Sequence, residues 1–384
     1  MPAHHHKQIK KPKDKIRQVE NSLSPVVVYG DSLPNYNLEQ RMREKGVKGL
    51  SIAVIKDYSI EWAKGYGWAD SAEGRKVTTE TRFQAASISK SLNSLAVMKL
   101  IQEGKLDPEV DINNYLTSWK FPYDSVSKGK KINTWNLLSH TAGLNLHGFP
   151  GYDVTDSLPT LVQLLNGEKP ANTEAIRSVF EPGKEFSYSG GGTTISQLML
   201  QDITGKSYAD YVEENVLKPI GMRNSSFRQP PVDKADYATG YYTNGSPVKG
   251  KFHVYPELAA AGLWTTPTDL AQYIIECQLT LKGESQKVLS QEMMQRRMTP
   301  YLDSIFALGV FIESKPVGKF FIHTGGNEAF VCIAVGSLEG GNGVVIMLNG
   351  EDFSIITELL HSVSRVYGWT DYYKPEVVAA ADRH

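Results

Sequence analysis

The sequence predicts an α/β chain of the α+β kind: one antiparallel sheet built from both chain ends, plus a mostly helical lobe inserted between them. Three observations lead there. Near the start, residues 50–55 and 60–66 are apolar runs joined by the polar turn 56–59, which is the pattern of a β-hairpin. Beyond Tyr301, the runs 306–312, 319–323, 330–335 and 344–348 follow one another through short Gly-rich turns. Strands joined that tightly pair antiparallel. Between these regions, from about 86 to 250, helical patterns and polar loops alternate.

The elements follow in order. Residues 1–24 carry His4–His6 and five lysines with no apolar h-region. They read as a disordered basic tail rather than a signal peptide, which leaves open a cytoplasmic protein or an exported one whose leader has been removed. One catalytic domain is expected over 25–384, with a sheet lobe at about 25–85 and 255–370 and the helical lobe at about 86–250. A helix from Asn37 ends near Gly46, ahead of the hairpin. Residues 92–101 are apolar nearly all round, as in a helix at the centre of a domain. A short helix from Trp135 stops at Gly143, and a turn-rich loop with two aromatics, Phe149 and Tyr152, follows. Residues 193–204 form a helix closed by Gly205, and 208–217 another. Thr266 or Thr268 caps a helix that includes Leu270, and a last helix spans about 355–366.

Composition bounds the function. The chain has 384 residues, 41% hydrophobic and 22% charged, with a net charge of −1. These values fit a soluble globular protein with a large core and give no sign of a nucleic-acid partner. The two cysteines, Cys277 and Cys332, are too few for a disulfide framework and read as buried thiols. No apolar run is long enough to cross a membrane. No His-Glu-x-x-His or Cys/His cluster implies a metal, and Gly190–Gly192 lack the Lys-Ser/Thr ending of a phosphate loop. No cofactor is implied. A Gly-x-Ser-x-Gly elbow is absent as well.

The chemistry points to Ser87-Ile88-Ser89-Lys90, which opens the central helix. One turn separates Ser87 from Lys90, so they share a face. A serine hydroxyl becomes a nucleophile when a neighbouring base takes its proton, and a neutral lysine amine can do so. The helix terminus also offers N–H groups to a developing oxyanion. The same spacing recurs at Ser125/Lys128 and Ser246/Lys249, but among loop residues where lysine stays solvated. Alone, Ser87 could equally be a helix cap, Tyr188 a core tyrosine and His323 a satisfied strand histidine.

Taken together, Ser87-x-x-Lys90, Tyr188-Ser189-Gly190 and His323-Thr324-Gly325 occur in the order of three motifs that identify a family. In them the chain resembles the serine β-lactamase and penicillin-binding-protein superfamily, and most of all its class C β-lactamase-like branch of esterases and DD-peptidases. Residues 137–144, 219–222 and 261–270 look like further landmarks, so the resemblance runs from about 40 to 365. It implies the β-lactamase/transpeptidase-like fold and an acyl-enzyme at Ser87, with Lys90 sharing its proton. It implies Tyr188 as general base or as acid to the leaving group, and His323 on an edge strand orienting substrate or tuning Tyr188. The N–H groups of Ser87 and Gly326 would form the oxyanion hole, with Gly190, Thr324 and Gly325 binding substrate. Two departures shape the substrate. Gly190 stands where the branch has asparagine, and His323 where many members have lysine. The expectation is therefore a serine hydrolase of small esters or D-amino-acid-type amides and peptides. A β-lactamase or DD-carboxypeptidase is the alternative, and a sensor acylated once without turnover is the reading from another class.

Overall fold

The computed structural model describes residues 12–30 and 32–378. Its main sheet has seven strands: β1 Gly49–Lys56, β2 Ser59–Asp70, β3 Arg75–Lys76, β4 Phe311–Lys315, β5 Gly318–Asn327, β6 Phe330–Ser337 and β7 Gly343–Leu348. They lie in the order β3-β2-β1-β7-β6-β5-β4. β1 and β7 are antiparallel at the centre, with Ala53 opposite Val345 and Leu50 opposite Leu348, so the two chain ends do build one sheet.

Both central strands are buried on both faces and therefore read as nearly continuous apolar runs. Side chains alternate between the faces. Leu50, Ile52, Val54, Val344, Ile346 and Leu348 enter a core shared with α1 (Pro12–Glu20), α2 (Leu38–Lys45) and the helix Ser354–Val366. Ala53, Ile55, Val345 and Met347 face the larger core, which includes the helix Pro267–Leu281 and the helical lobe. At the heart of that lobe runs α3 (Ser89–Gln102), whose Leu92, Leu95, Ala96, Met98 and Leu100 are all buried.

Four elements differ from the sequence expectation. Residues 12–20 are helical rather than part of a disordered tail, because Ile16 and Val19 lie on one face and pack into the core. The Ser362 hydroxyl anchors that helix by donating to the Val19 carbonyl at 2.6 Å. His4–His6 lie outside the described residues. The helix α4 (Thr134–Ser139) ends at His140, which takes a left-handed conformation, and not at Gly143. The strand expected from 306 begins at Phe311, because Gly309 (φ 83°) closes a turn in which the Ala307 N–H reaches the Val310 carbonyl. The helix expected from 193 begins at Gly190, so Gly190–Gly192 form the first turn of the helix Gly190–Thr204, capped by the Ser189 hydroxyl on the Gly192 N–H. Thr266 is the cap of Pro267–Leu281. Among the described residues no helix is long and apolar enough to cross a membrane.

Candidate active site

The short strand pair Phe83–Gln84 with Trp264–Thr265 brings the chain to Ala85. Ala86 then sits in the left-handed region at φ 50°, an unfavourable conformation for a residue with a Cβ. Ser87 lies in the single 3-10 turn Ala86–Ile88, and the α-helix proper starts two residues after it. The one-turn relation to Lys90 survives. Lys90 Nζ donates to Ser87 Oγ at 3.0 Å and to the Ala260 carbonyl at 2.9 Å. Lys90 is 3% exposed, and these two partners are a hydroxyl and a carbonyl rather than a carboxylate. A proton can therefore pass between Ser87 and Lys90 without either side chain moving.

Tyr188 closes the other side. Lys90 Nζ stands 4.9 Å from its ring centroid. Around the ring lie the imidazoles of His140 at 4.4 Å, His147 at 4.7 Å and His323 at 6.1 Å, with Phe311 stacked at 6.4 Å.

His323 departs from expectation in the place of its strand. Its strand, β5, is not the edge of the sheet, because β4 pairs outside it; that pairing ends at Ile322, so residues 323–327 have β6 on one side only. His323 is also 3% exposed. Its Nδ1 lies 2.6 Å from the Thr324 carbonyl, which can only accept, so this nitrogen carries the proton. Nε2 is left as a buried acceptor without a partner. Burial first, and the nearby charge of Lys90 second, push its pKa down to about 3. His323 is thus a neutral acceptor at physiological pH and no substitute for a fixed positive charge.

Beyond it, Thr324 and Gly326 are exposed, while Gly325 is pressed against the turn that carries Ser87. A Cβ on Gly325 would meet the Ala85 carbonyl oxygen at 2.4 Å and Ala86 Cβ at 3.1 Å. β5 therefore runs directly beside the turn that carries Ser87, with the Gly326 backbone next in line.

Gly190 lies at this site too, and its space is occupied. A Cβ there would stand 2.8 Å from Phe149 Cε2 and 3.0 Å from the His147 carbonyl. The loop that carries both is tied to the helix start by Gly190 N–H to His147 O and Gly191 N–H to Leu146 O, at 3.1 and 3.2 Å. Sequence reasoning marked Phe149 only as an aromatic in a loop and assigned no role to His140, His147 or Phe311. The landmark 137–144 pointed to His140 without showing why. The two repeated spacings stay apart from the site. Lys128 and Lys249 are solvent-facing and pair with Glu181 at 4.0 Å and Asp153 at 3.3 Å. A cavity of about 710 Å³ between α2 and the hairpin is lined by none of the site residues above. Among the described residues no group of three or more His, Cys, Asp or Glu could hold a metal ion.

Comparison with known proteins agrees with this fold. The profile of the family described as Beta-lactamase matches residues 35–355. The chain is 27% identical over 330 residues to Protein flp of Staphylococcus aureus (strain MW2), covering 81% of this chain and 61% of that protein. It therefore spans about three-fifths of that curated relative's length. The octameric penicillin-binding protein homologue from Pyrococcus abyssi superposes with a TM-score of 0.69 at 23% identity, covering 86% of this chain and 77% of the other. D-amino acid amidase from Ochrobactrum anthropi SV3 gives a TM-score of 0.69 at 17% identity, covering 93% and 99%. These two structures share the fold.

Proposed function

The chain belongs to the Beta-lactamase family, whose members are serine hydrolases, and on that footing we propose that it forms an acyl-enzyme at Ser87 with a small ester or a D-amino-acid-type amide or peptide. The observation that carries this reading is the buried Lys90 Nζ 3.0 Å from Ser87 Oγ, with no carboxylate among the partners named above. In the first step the Ser87 oxygen bonds to the substrate carbonyl carbon as its proton passes to the Lys90–Tyr188 pair. The negative charge gathers on the carbonyl oxygen, where the N–H groups of Ser87 and Gly326 receive it. The carbon–oxygen or carbon–nitrogen bond then breaks, and Tyr188 returns the proton to the departing alcohol or amine. Water repeats the sequence on the acyl-enzyme and releases the acid.

Gly190 and His323 narrow the substrate. No side-chain amide projects from position 190, and the Phe149 ring fills the space. His323 is neutral and buried, so it offers no cation to a β-lactam carboxylate. The missing cation contact is worth roughly 1.5–3 kcal/mol, or about one to two orders of magnitude in binding, and the missing neutral amide contact about 0.5–1.5 kcal/mol. Ester and D-amide acyl transfer needs neither contact.

A panel of p-nitrophenyl acetate, D-amino acid amides, D-Ala-D-Ala peptides and nitrocefin tests the reading. Multiple turnover of an ester or D-amide is expected, with nitrocefin far slower. A fluorophosphonate should label Ser87, and Ser87→Ala should abolish both labelling and turnover, while Ser125→Ala and Ser246→Ala change neither. Comparable activity in Ser87→Ala would overturn the assignment. Faster turnover of nitrocefin would put the β-lactamase reading first, and labelling without turnover would make the protein a sensor.

A further inference from the structure

We propose that His140 is the positioning residue for Tyr188: it grips the backbone on both sides of that tyrosine and packs on its ring, holding the phenol against Lys90. The inference rests on the reading of Tyr188 as the proton-transfer group.

The grip begins in the way α4 ends. His140 caps that helix at φ 58° and ψ 39°, its own N–H bonded to the Asn136 carbonyl. This left-handed turn points the residue's carbonyl and its ring at the same neighbouring segment. The carbonyl accepts the Ser187 N–H at 2.7 Å, and ring Nδ1 accepts the Ser189 N–H at 3.1 Å. Tyr188 is the residue between. One residue, through its backbone carbonyl and its ring, therefore fixes the backbone immediately before and after the tyrosine, which removes most of the freedom of its Cα–Cβ direction.

The ring completes the restraint. It lies 4.4 Å from the Tyr188 ring and is backed by Phe306 at 4.9 Å, so the phenol cannot swing toward α4. Because Nδ1 accepts a backbone N–H, the proton must sit on Nε2 and the imidazole must be neutral. Burial first, and the nearby charge of Lys90 second, hold it in that form well below the ordinary histidine range. A left-handed residue that must also present an acceptor at that point suits histidine or asparagine and few others.

Steady-state kinetics on p-nitrophenyl acetate test the grip, with kcat expressed per fluorophosphonate-labelled site so that misfolded protein drops out. His140→Gly keeps the left-handed turn and the carbonyl but removes the acceptor and the ring. Its kcat should fall about 100-fold, the usual cost of misplacing a catalytic group by roughly 1 Å, with KM changed by less than about threefold. His140→Asn tolerates the same backbone and puts Oδ1 near the place of Nδ1. It should return to within about tenfold of wild type. If the glycine variant does not fold, His140→Gln, whose acceptor lies one methylene too far out, should show the same loss. A merely structural histidine would lower the melting temperature and leave kcat per labelled site unchanged. That result, or an asparagine variant as slow as the glycine one, overturns the proposal. A wild-type protein that is not labelled at Ser87 instead overturns the hydrolase reading, and the grip falls with it.

Discussion

The contact between Gly325 and the turn that carries Ser87 can be tested with a single methyl group. Gly325→Ala would place a Cβ 2.4 Å from the Ala85 carbonyl oxygen, 2.8 Å from Cys332 Sγ and 3.1 Å from Ala86 Cβ. Carbon–oxygen contacts settle at about 3.3–3.6 Å, so the carbonyl must retreat by roughly 1 Å. It cannot do so alone, because it accepts the Ile88 N–H at 3.0 Å and the Cys332 thiol at 3.2 Å. The whole 3-10 turn moves, and Ser87 moves with it. Overpacking of this kind costs about 1–3 kcal/mol of stability. A displacement of about 1 Å at the reacting oxygen costs about 100-fold in rate. Gly326→Ala is the matched control, since its Cβ would find only Val331 Cγ1 at 4.0 Å. The assay is kcat/KM for p-nitrophenyl acetate alongside urea unfolding of both variants. We expect Gly325→Ala to lose about two orders of magnitude and Gly326→Ala less than one. A Gly325→Ala enzyme within about threefold of wild type would refute the coupling of β5 to the nucleophile.

Three further outcomes follow from the same site. Tyr188→Phe keeps the ring among its four aromatic neighbours and removes only the hydroxyl; kcat should drop by about 10²–10⁴-fold, with little change in the urea midpoint, and near-normal turnover would return Tyr188 to a packing role. Stability should be full above about pH 6.5 and fall with acid by up to about 1.4 kcal/mol per pH unit for His323, because the unfolded chain binds a proton there that the folded state refuses until about pH 3; a His323→Gln variant with the same pH slope in unfolding experiments would contradict this. Gly190→Asn alone should not help nitrocefin, because Phe149 blocks the new side chain. With Phe149→Ala added, the ratio of nitrocefin to ester turnover should rise by about two- to tenfold, one neutral amide hydrogen bond being worth about 0.5–1.5 kcal/mol, and an unchanged ratio would count against the substrate argument.

What the sequence made legible is what depends on neighbours along the chain. Ser87 and Lys90 are three residues apart on one helical rise, so their contact follows from spacing once the helix is granted. The two strand groups were readable because burial on one or both faces imprints its period directly on the residues. Even the ordered helix 12–20 left a trace in Ile16 and Val19, which the surrounding lysines outweighed. What was not legible depends on partners far apart in sequence. The Ala260 carbonyl that holds Lys90 lies 170 residues away, and nothing in Ala259-Ala260-Ala261 distinguishes it from ordinary core. His323 was expected on an edge strand, and the pairing of β4 outside it from Phe311 depends on Gly309, whose left-handed turn is braced by the Ser91 hydroxyl on its carbonyl at 2.7 Å. Gly190 shows the limit most clearly. From sequence it was a missing asparagine, an absence that could mean an emptier pocket. In the fold the loop 145–150 is tied to the helix start and puts an aromatic ring where that side chain would have been. The departure is thus a replacement of an amide-recognising group by an apolar wall, and only the three-dimensional contact distinguishes that from a simple loss.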